Sequence, residues 1–421
     1  MSAPTLIRRL LQLFSLLAAL ALFAVAAILL SLWLEHTIPV TLPPPTGPFA
    51  VGRAVFDWTD DTTVDTLAPV AGAKRELLVW IWFPAAPPLP SGAPTGPAAP
   101  AEDYIPAPLR TAVERQSGVL LTHLLTRDRS KVRTHSLRDA AVSPQQSPYP
   151  VLIMRAGASA EVWNYSSLAE DLASHGYVVV AFDAPYRSHV VVFPDGRVVT
   201  RLPANNPELC LEMSGQQQAQ CAEKLIAAWT SDIAFVLDRL AQLNASDPSG
   251  KFTGRLDLSR VGAFGHSFGG ATATQFCAQH SRCRAAVDVD GILLGSVIQT
   301  GIHKPFMILL SDHSREHDPD THEILANMQS VYDRAPPDSR AYLIVRGANH
   351  FLFSDDGALL KSHAVLAVLR LSGRLGIDGP RQLAITSACL HTFFDVHLKA
   401  APASHLAALP SLYPELEAPA R

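Results

Sequence analysis

A regular alternation of short apolar runs and helical stretches constrains the fold of this chain most. Six runs of four to six residues are almost entirely apolar, and they cover residues 151–154, 177–182, 261–264, 285–289, 306–310 and 342–345. Helical periodicity marks the stretches 166–174, 223–243 and 271–279 between them. Strands so short and apolar are buried on both faces. The pattern predicts an α/β fold whose mostly parallel central sheet is covered by helices on both faces.

Other segments extend or interrupt this pattern. Two further strands are predicted at 51–58 and 77–83, so one α/β domain is expected over residues 50–421. Seven prolines in residues 84–100 indicate a solvated surface loop, because few of its groups can pair. Residues 190–220, with a Pro-Asp-Gly turn, are interpreted as a cap-like excursion over the top of the sheet.

The N-terminus carries a long apolar run. Among residues 10–34 only Gln12, Ser15 and Ser31 are polar. A helix of that length reaches about 37 Å, which exceeds the roughly 30 Å hydrocarbon core of a bilayer. With Arg8 and Arg9 before the run, residues 1–36 are predicted to be a single-pass membrane anchor, with the N-terminus cytoplasmic and the domain exported. A cleaved signal peptide remains the alternative.

Prolines and cysteines fit this export prediction. The Pro-rich stem 37–49 is interpreted as a semi-rigid spacer between anchor and domain. Cys210 with Cys221, and Cys277 with Cys283, are close enough in sequence to form local disulfides in an oxidising compartment, although five buried thiols would also account for the composition.

Net charge excludes one class of partner. Lys and Arg number 34 against 38 Asp and Glu, a formal charge of −4, so no basic footprint for nucleic acid is present. The sequence makes no prediction of oligomeric state.

The sequence Gly265-His266-Ser267-Phe268-Gly269 fits G-x-S-x-G. It lies between the predicted strand 261–264 and a predicted helix, which is the setting of a nucleophile elbow. Small flanking residues let the turn close and expose the serine at the carboxyl end of the sheet. Ser267 is therefore the candidate nucleophile.

A serine nucleophile requires a base and an acid that orients the base. His350 follows the strand 342–345 and is the candidate base. Asp290 follows the strand 285–289, and Asp312 follows 306–310. Position alone leaves both open as the acid, with Asp288 as a third choice.

Two backbone amides should form an oxyanion hole. The amide of Phe268 is the first candidate, and Ala158, in the loop 155–159, supplies the second.

Residues 313–317 match H-x-x-E-H, a zinc-peptidase pattern. Pro319 follows closely, which disfavours the continuous helix that zinc binding would need. We interpret the motif as a polar loop, and we expect neither metal nor cofactor to take part in the reaction.

With these features in view, the chain resembles the plasma-type (isoform II) platelet-activating factor acetylhydrolases and their bacterial relatives, within the α/β-hydrolase superfamily. The resemblance runs from about residue 44 to 415, and it is carried by the segments 45–52, 75–84, 173–179, 265–269, 290–291, 347–350 and 393–395. It implies an α/β-hydrolase fold, places the acid on Asp290, and implies calcium-independent hydrolysis of short acyl esters of phospholipids.

One position departs from the family pattern. Relatives commonly have His-Gly after the first core strand, whereas this chain has Arg155-Ala156-Gly157. The expected activity is a membrane-anchored serine esterase acting on phospholipid-like or other small esters. A general carboxylesterase, lipase or dienelactone-hydrolase-like enzyme is the alternative, and a non-catalytic binding protein is the alternative of another class.

Overall fold

The computed structural model describes residues 3–86, 101–118, 126–158, 160–312, 319–360, 367, 370–371 and 376–419. The H-x-x-E-H segment and most of the loop 84–100 lie outside the described residues.

Fourteen strands form within the described part of the chain. They are β1 (Val40–Thr41), β2 (Ala50–Val64), β3 (Lys74–Ala85), β4 (Ala101–Asp103), β5 (Val132–Leu137), β6 (Tyr149–Arg155), β7 (Val178–Asp183), β8 (Val190–Val192), β9 (Val198–Thr200), β10 (Leu256–His266), β11 (Cys283–Val289), β12 (Phe306–Leu310), β13 (Arg340–Val345) and β14 (Leu416–Glu417).

The central sheet has the order β1-β5-β2-β3-β7-β6-β10-β11-β12-β13-β14, with β4 beside β5. All pairs from β7 through β13 are parallel, while β2, β3 and β7 pair antiparallel. The predicted α/β fold with a mostly parallel sheet is confirmed. Because parallel strands end at one edge, the loops after β6, β10, β11, β12 and β13 meet at the carboxyl edge.

Helices cover both faces of this sheet, as two hydrophobic clusters on its opposite sides indicate. In chain order, the α-helices among the described residues include α1 (Ala3–Thr37), α2 (Ala107–Ser117), α3 (Ser166–Ser174), α4 (Pro207–Leu211), α5 (Gly215–Ala245), α6 (Phe268–Gln279), α7 (Val297–Thr300), α8 (Pro319–Arg334), α9 (Asp356–Leu359), α10 (Gly379–Leu398) and α11 (Ser404–Leu412).

The excursion 190–220 is shorter than the sequence indicates. Strands β8 and β9 form its hairpin, but α5 begins at Gly215 rather than near residue 223. The first turns of α5 are polar and exposed, so they carry no apolar periodicity to reveal them. A Cys210–Cys221 disulfide joins α4 to α5.

The second disulfide, Cys277–Cys283, joins the end of α6 to the start of β11. Both sequence-adjacent cysteine pairs are therefore disulfides, and Cys389 is a buried free thiol.

The Pro-rich stem is not a free spacer in the structure. Strand β1 pairs with β5, and Leu42 is only 1% exposed. Thr46 and Gly47 lie against the end of α3, where a Cβ on Gly47 would come 2.3 Å from the carbonyl group of Ser174. Proline-rich backbone is already extended, so it docks with little loss of conformational entropy.

Helix α1 is exposed along its apolar length. Residues Ile7–Thr37 are long and apolar enough to cross a membrane, since they contain an 18-residue window with a mean hydropathy of 2.8, and a signal sequence would meet the same criteria. The end of α1 contacts the domain, because Arg127 Nη1 donates to the Glu35 carbonyl over 3.1 Å and Lys131 Nζ to that of Thr37 over 3.0 Å.

Candidate active site

Ser267 stands at the turn between β10 and α6. Its backbone has φ 57° and ψ −130°, a strained conformation for a residue with a side chain. The turn is held because the Ser267 amide donates to the Val289 carbonyl over 2.9 Å, and the Gly270 amide donates to the Ser267 carbonyl over 2.8 Å. The strand–serine–helix turn predicted from the sequence is therefore present.

Glycines at this turn are required by close backbone contacts. A Cβ on Gly265 would come 2.4 Å from the backbone of Gly269, and a Cβ on Gly269 would come 2.4 Å from the carbonyl oxygens of Arg155 and Ala156. Any larger residue at either position would push the serine turn away from strand β6.

Asp290 and His350 meet directly. Asp290 follows β11 and His350 follows β13; the Asp290 carboxylate lies 2.7 Å from His350 Nδ1. Ser311 orients this carboxylate from the other side, because its amide and its hydroxyl each donate to one Asp290 oxygen over 2.7 Å. The aspartate side chain is 1% exposed and the imidazole 36%, so the imidazole connects a buried charge to solvent.

The other two candidate acids have different surroundings. Asp312 accepts the Gly347 amide over 2.8 Å, and so supports the turn before His350. Asp288 is buried beneath the serine turn, where a Cβ on Gly270 would come 2.0 Å from its Oδ1. Burial, followed by the nearby Asp290 charge, raises the pKa of Asp288 well above its usual range. The geometry thus favours Asp290.

Tyr165 joins two parts of the site, and no sequence pattern had pointed to it. Its hydroxyl lies 2.8 Å from His266 Nδ1 and accepts the Gly157 amide over 3.2 Å. Burial and the neighbouring His350 lower the pKa of His266 to about 3, which keeps its imidazole ring neutral. Its ring packs against that of His350 at 4.5 Å between centroids.

The two candidate oxyanion donors are near one another. Phe268 is the first residue of α6, so its amide has no intrahelical acceptor. A Cβ on Gly157 would lie 3.4 Å from Ser267 Cβ, which places the loop after β6 alongside the nucleophile. Ala158 follows in that loop and packs with the Phe268 cluster. Ser159 lies outside the described residues.

Arg155, where the chain departs from the family pattern, points away from this site. Its guanidinium stacks on Phe182 at 3.9 Å and lies near Trp229 at 4.7 Å, and it donates to the Phe182 carbonyl over 2.8 Å. Burial lowers its pKa to about 10. The arginine therefore supports the loop from behind and leaves the lining of the site to smaller residues.

A pocket of about 230 Å³ opens beside the triad candidates. Its polar side chains are those of Ser267, Asp290, His350 and Thr321. Its apolar wall comes from α8 and the neighbouring loops, through Ile292, Leu310, Ile324, Leu325 and Met328. Counted from Thr321, the α8 residues lie at positions i, i+3, i+4 and i+7 and so share one face, but nothing in the sequence relates that face to the serine.

A sheet of this order with a serine turn, an aspartate and a histidine at its carboxyl edge defines an α/β-hydrolase with serine ester hydrolase chemistry. Residues 36–401 match the family model for platelet-activating factor acetylhydrolase, isoform II. The chain belongs to that family.

Individual proteins that this chain resembles also carry the names of ester hydrolases. A probable 1-alkyl-2-acetylglycerophosphocholine esterase of Arthroderma benhamiae is 25% identical over 89% of this chain and 92% of its own length. The platelet-activating factor acetylhydrolase of Cavia porcellus is 25% identical over 49% of this chain and 48% of its own. The solved ferulic acid esterase of Streptomyces cinnamoneus is 27% identical with a TM-score of 0.70, covering 90% of this chain and 99% of that structure. The chain is a carboxylic ester hydrolase.

Proposed function

We propose that this enzyme hydrolyses short acyl esters of phospholipid-like alcohols through Ser267, His350 and Asp290. The 2.7 Å contact between Asp290 and His350 Nδ1 is the observation that carries the proposal, because it directs Nε2 of the imidazole outward as a base. Both His350 and Ser267 line the same pocket, where an ester carbonyl can reach the serine.

Each residue has one role in this mechanism. His350 takes the proton of Ser267 as the hydroxyl attacks the ester carbonyl, and the amides of Phe268 and Ala158 stabilise the oxyanion. The protonated His350, oriented by Asp290, then donates to the departing alcohol. Water attacks the acyl-enzyme by the same proton path and releases the acid.

Pocket size supports a short acyl group. Pockets for drug-sized ligands measure roughly 300–1,000 Å³, and this one is about 230 Å³. Its apolar wall on α8 suits a hydrocarbon chain. The alcohol part, phospholipid or otherwise, would then lie toward solvent on the side where His350 is exposed.

The enzyme would act at a membrane. The apolar helix α1 would anchor it, with the N-terminus cytoplasmic and the disulfide-bearing domain exported. Alkaline extraction of membranes, with N-terminal sequencing of the recovered chain, distinguishes an anchor from a cleaved signal.

Ser267→Ala tests the mechanism. We expect kcat/KM to fall about 10⁴-fold or more, and a fluorophosphonate probe to label the wild-type chain but not the variant. Retained hydrolysis, or labelling of another residue, would contradict the proposed nucleophile.

A general carboxylesterase is the second candidate, because the whole-chain structural similarity is to a ferulic acid esterase. Acyl groups from acetyl to decanoyl, together with feruloyl, should be compared on phosphocholine and p-nitrophenol leaving groups. A preference for acetyl on the phosphocholine alcohol supports the phospholipid assignment, and a feruloyl preference supports the second.

A further inference from the structure

A second cluster of two histidines and one aspartate lies far from the serine along the sheet. Asp171 and His175 are four residues apart at the end of α3, just before β7 begins. His391 belongs to α10, which packs against α3. The position just before β7 is at the amino edge of the sheet, whereas Ser267 is at the carboxyl edge. We name Asp171, His175 and His391 the amino-edge cluster.

We propose that the amino-edge cluster binds a divalent transition-metal ion, and that zinc is the ion it fits best. Nothing in the ester hydrolysis described above uses these residues, and the proposal is independent of that mechanism.

Three donor atoms converge on one point. His391 Nδ1 lies 2.9 Å from His175 Nε2, and Asp171 Oδ2 lies 3.7 Å from the former and 4.0 Å from the latter. The circumradius of a triangle with these sides is about 2.1 Å, and zinc binds imidazole nitrogen and carboxylate oxygen at about 2.0–2.2 Å. One ion at that point would be at bonding distance from all three atoms.

The two carboxylate oxygens of Asp171 differ in their hydrogen bonding. Its Oδ1 accepts the amide of Thr46 over 2.9 Å and the Thr46 hydroxyl over 2.7 Å. Its Oδ2 is buried, and within the described chain it has no hydrogen-bond partner. The residue as a whole is 4% exposed. A buried carboxylate oxygen without a donor is costly, and a metal ion facing it would offset that cost.

Two imidazole nitrogens 2.9 Å apart also favour a shared cation. Only one proton can lie between them, so at least one nitrogen presents its lone pair toward the centre of the cluster. The Thr46 hydroxyl, 2.9 Å from His175 Nε2, adds an oxygen atom beside the cluster. Structural zinc usually has four ligands, so a water molecule would complete the coordination of an ion held by these three residues.

Surrounding charges leave the cluster negative. Lys399 is the nearby cation: its Nζ donates to the His175 carbonyl over 2.6 Å and pairs with Asp395 over 2.9 Å. Asp395 also accepts the Tyr177 hydroxyl over 2.7 Å. Because Asp395 matches the charge of Lys399, the carboxylate charge of Asp171 remains for the metal.

A metal here would fasten three separate parts of the chain. Asp171 and His175 come from α3, His391 from α10, and Asp171 also binds the stem through Thr46. An ion that binds only the folded arrangement stabilises it in proportion to the logarithm of its free concentration. We therefore assign the site a structural role.

The test uses the full-length chain, purified in detergent and stripped with a chelator. After dialysis against zinc chloride we expect about one zinc per chain by elemental analysis and a rise in Tm. Asp171→Asn and His391→Gln should lose both. His405→Gln, which removes an exposed histidine outside the cluster, is the matched control and should keep both.

Zinc at the triad is the main competing outcome, because His266, Asp290 and His350 also lie close together. His350→Gln should keep the bound zinc and the Tm rise. Loss of both in His350→Gln, or their retention in His391→Gln, would overturn the assignment.

X-ray absorption at the zinc edge covers the case in which the cluster variants do not fold, since it needs only the wild-type chain. Two imidazole ligands and oxygen ligands near 2.0–2.1 Å are expected. Absence of bound zinc, or a spectrum without imidazole scattering, would refute the proposal.

Discussion

Each edge of the central sheet carries two histidines and one aspartate, but the hydrogen bonds around them differ. At the carboxyl edge, Ser311 donates to both oxygens of Asp290, and one of these oxygens also lies 2.7 Å from His350 Nδ1. At the amino edge, Thr46 donates twice to the same oxygen of Asp171 and leaves Oδ2 without a donor. Residue types alone would not separate the two clusters. The hydrogen-bonded carboxylate of Asp290 is suited to orient an imidazole base, whereas Asp171 Oδ2 has room for the proposed metal ion.

The largest effect should come from breaking the cluster at the carboxyl edge. Asp290→Asn would present an amide to His350 Nδ1 and favour the wrong tautomer, so we expect kcat to fall about 10⁴-fold. Asp312→Asn is the matched control, because an asparagine oxygen can still accept the Gly347 amide, and kcat should fall less than about tenfold. Steady-state kinetics on a soluble ester measure both. A larger loss for Asp312→Asn would identify Asp312, which follows the next strand, as the acid.

A pH experiment tests the second histidine of the carboxyl edge. His266 has a folded pKa of about 3, below the unfolded value of roughly 6.5. Between these values the unfolded chain binds more protons, so stability rises with pH and is lost as pH falls. His266→Gln should reduce that slope by up to about 1.4 kcal/mol per pH unit, measured by denaturant unfolding from pH 6.5 to 4. An unchanged slope would mean that His266 is not the buried neutral group.

Access to substrate also distinguishes the carboxyl edge, since its cluster opens into the pocket lined by α8. Leu325→Ala should lengthen that pocket and raise kcat/KM for octanoyl relative to acetyl esters about tenfold. Glu323→Ala, an exposed change on the same helix, should leave the ratio unaltered. An equal ratio in both variants would place the acyl chain elsewhere.

The smallest effect is expected from Thr46→Val, which removes one donor from Asp171 but keeps the backbone donor. Loss of a single hydrogen bond costs about 1 kcal/mol. Chemical unfolding should detect it, with Thr111→Val in α2 as the exposed control. A loss no greater than that of the control would show that the stem adds nothing to the cluster.

Local sequence pattern was sufficient where burial and chain order decide the structure. The strand 306–310 is found as predicted, and the turn around Ser267 is found with its glycines where packing requires them. Asp290 could not be separated from Asp312 by position alone, since both follow strands that end at the same edge. The donors on Ser311 distinguish them, and these depend on how neighbouring strands are placed side by side.

Long-range partners were the part that the sequence could not provide. Tyr165 meets His266 across 101 residues, and His391 meets His175 across 216. The exposed start of α5 and the docked stem were missed for a related reason. Polar or proline-rich segments lack the apolar periodicity from which helices and strands are predicted.

The Cys277–Cys283 disulfide has a mechanical consequence for the carboxyl edge. Helix α6 runs from Ser267 to that bond, and β11 runs from the bond to Asp290. The disulfide therefore links α6 and β11 at the ends that lie away from the candidate nucleophile and acid. Because of this link, thermal motion can separate Ser267 from Asp290 by bending α6 or β11, but not by sliding one element past the other. Both cysteines are 0% exposed, so a thiol reductant can reach this crosslink only when the surrounding fold opens.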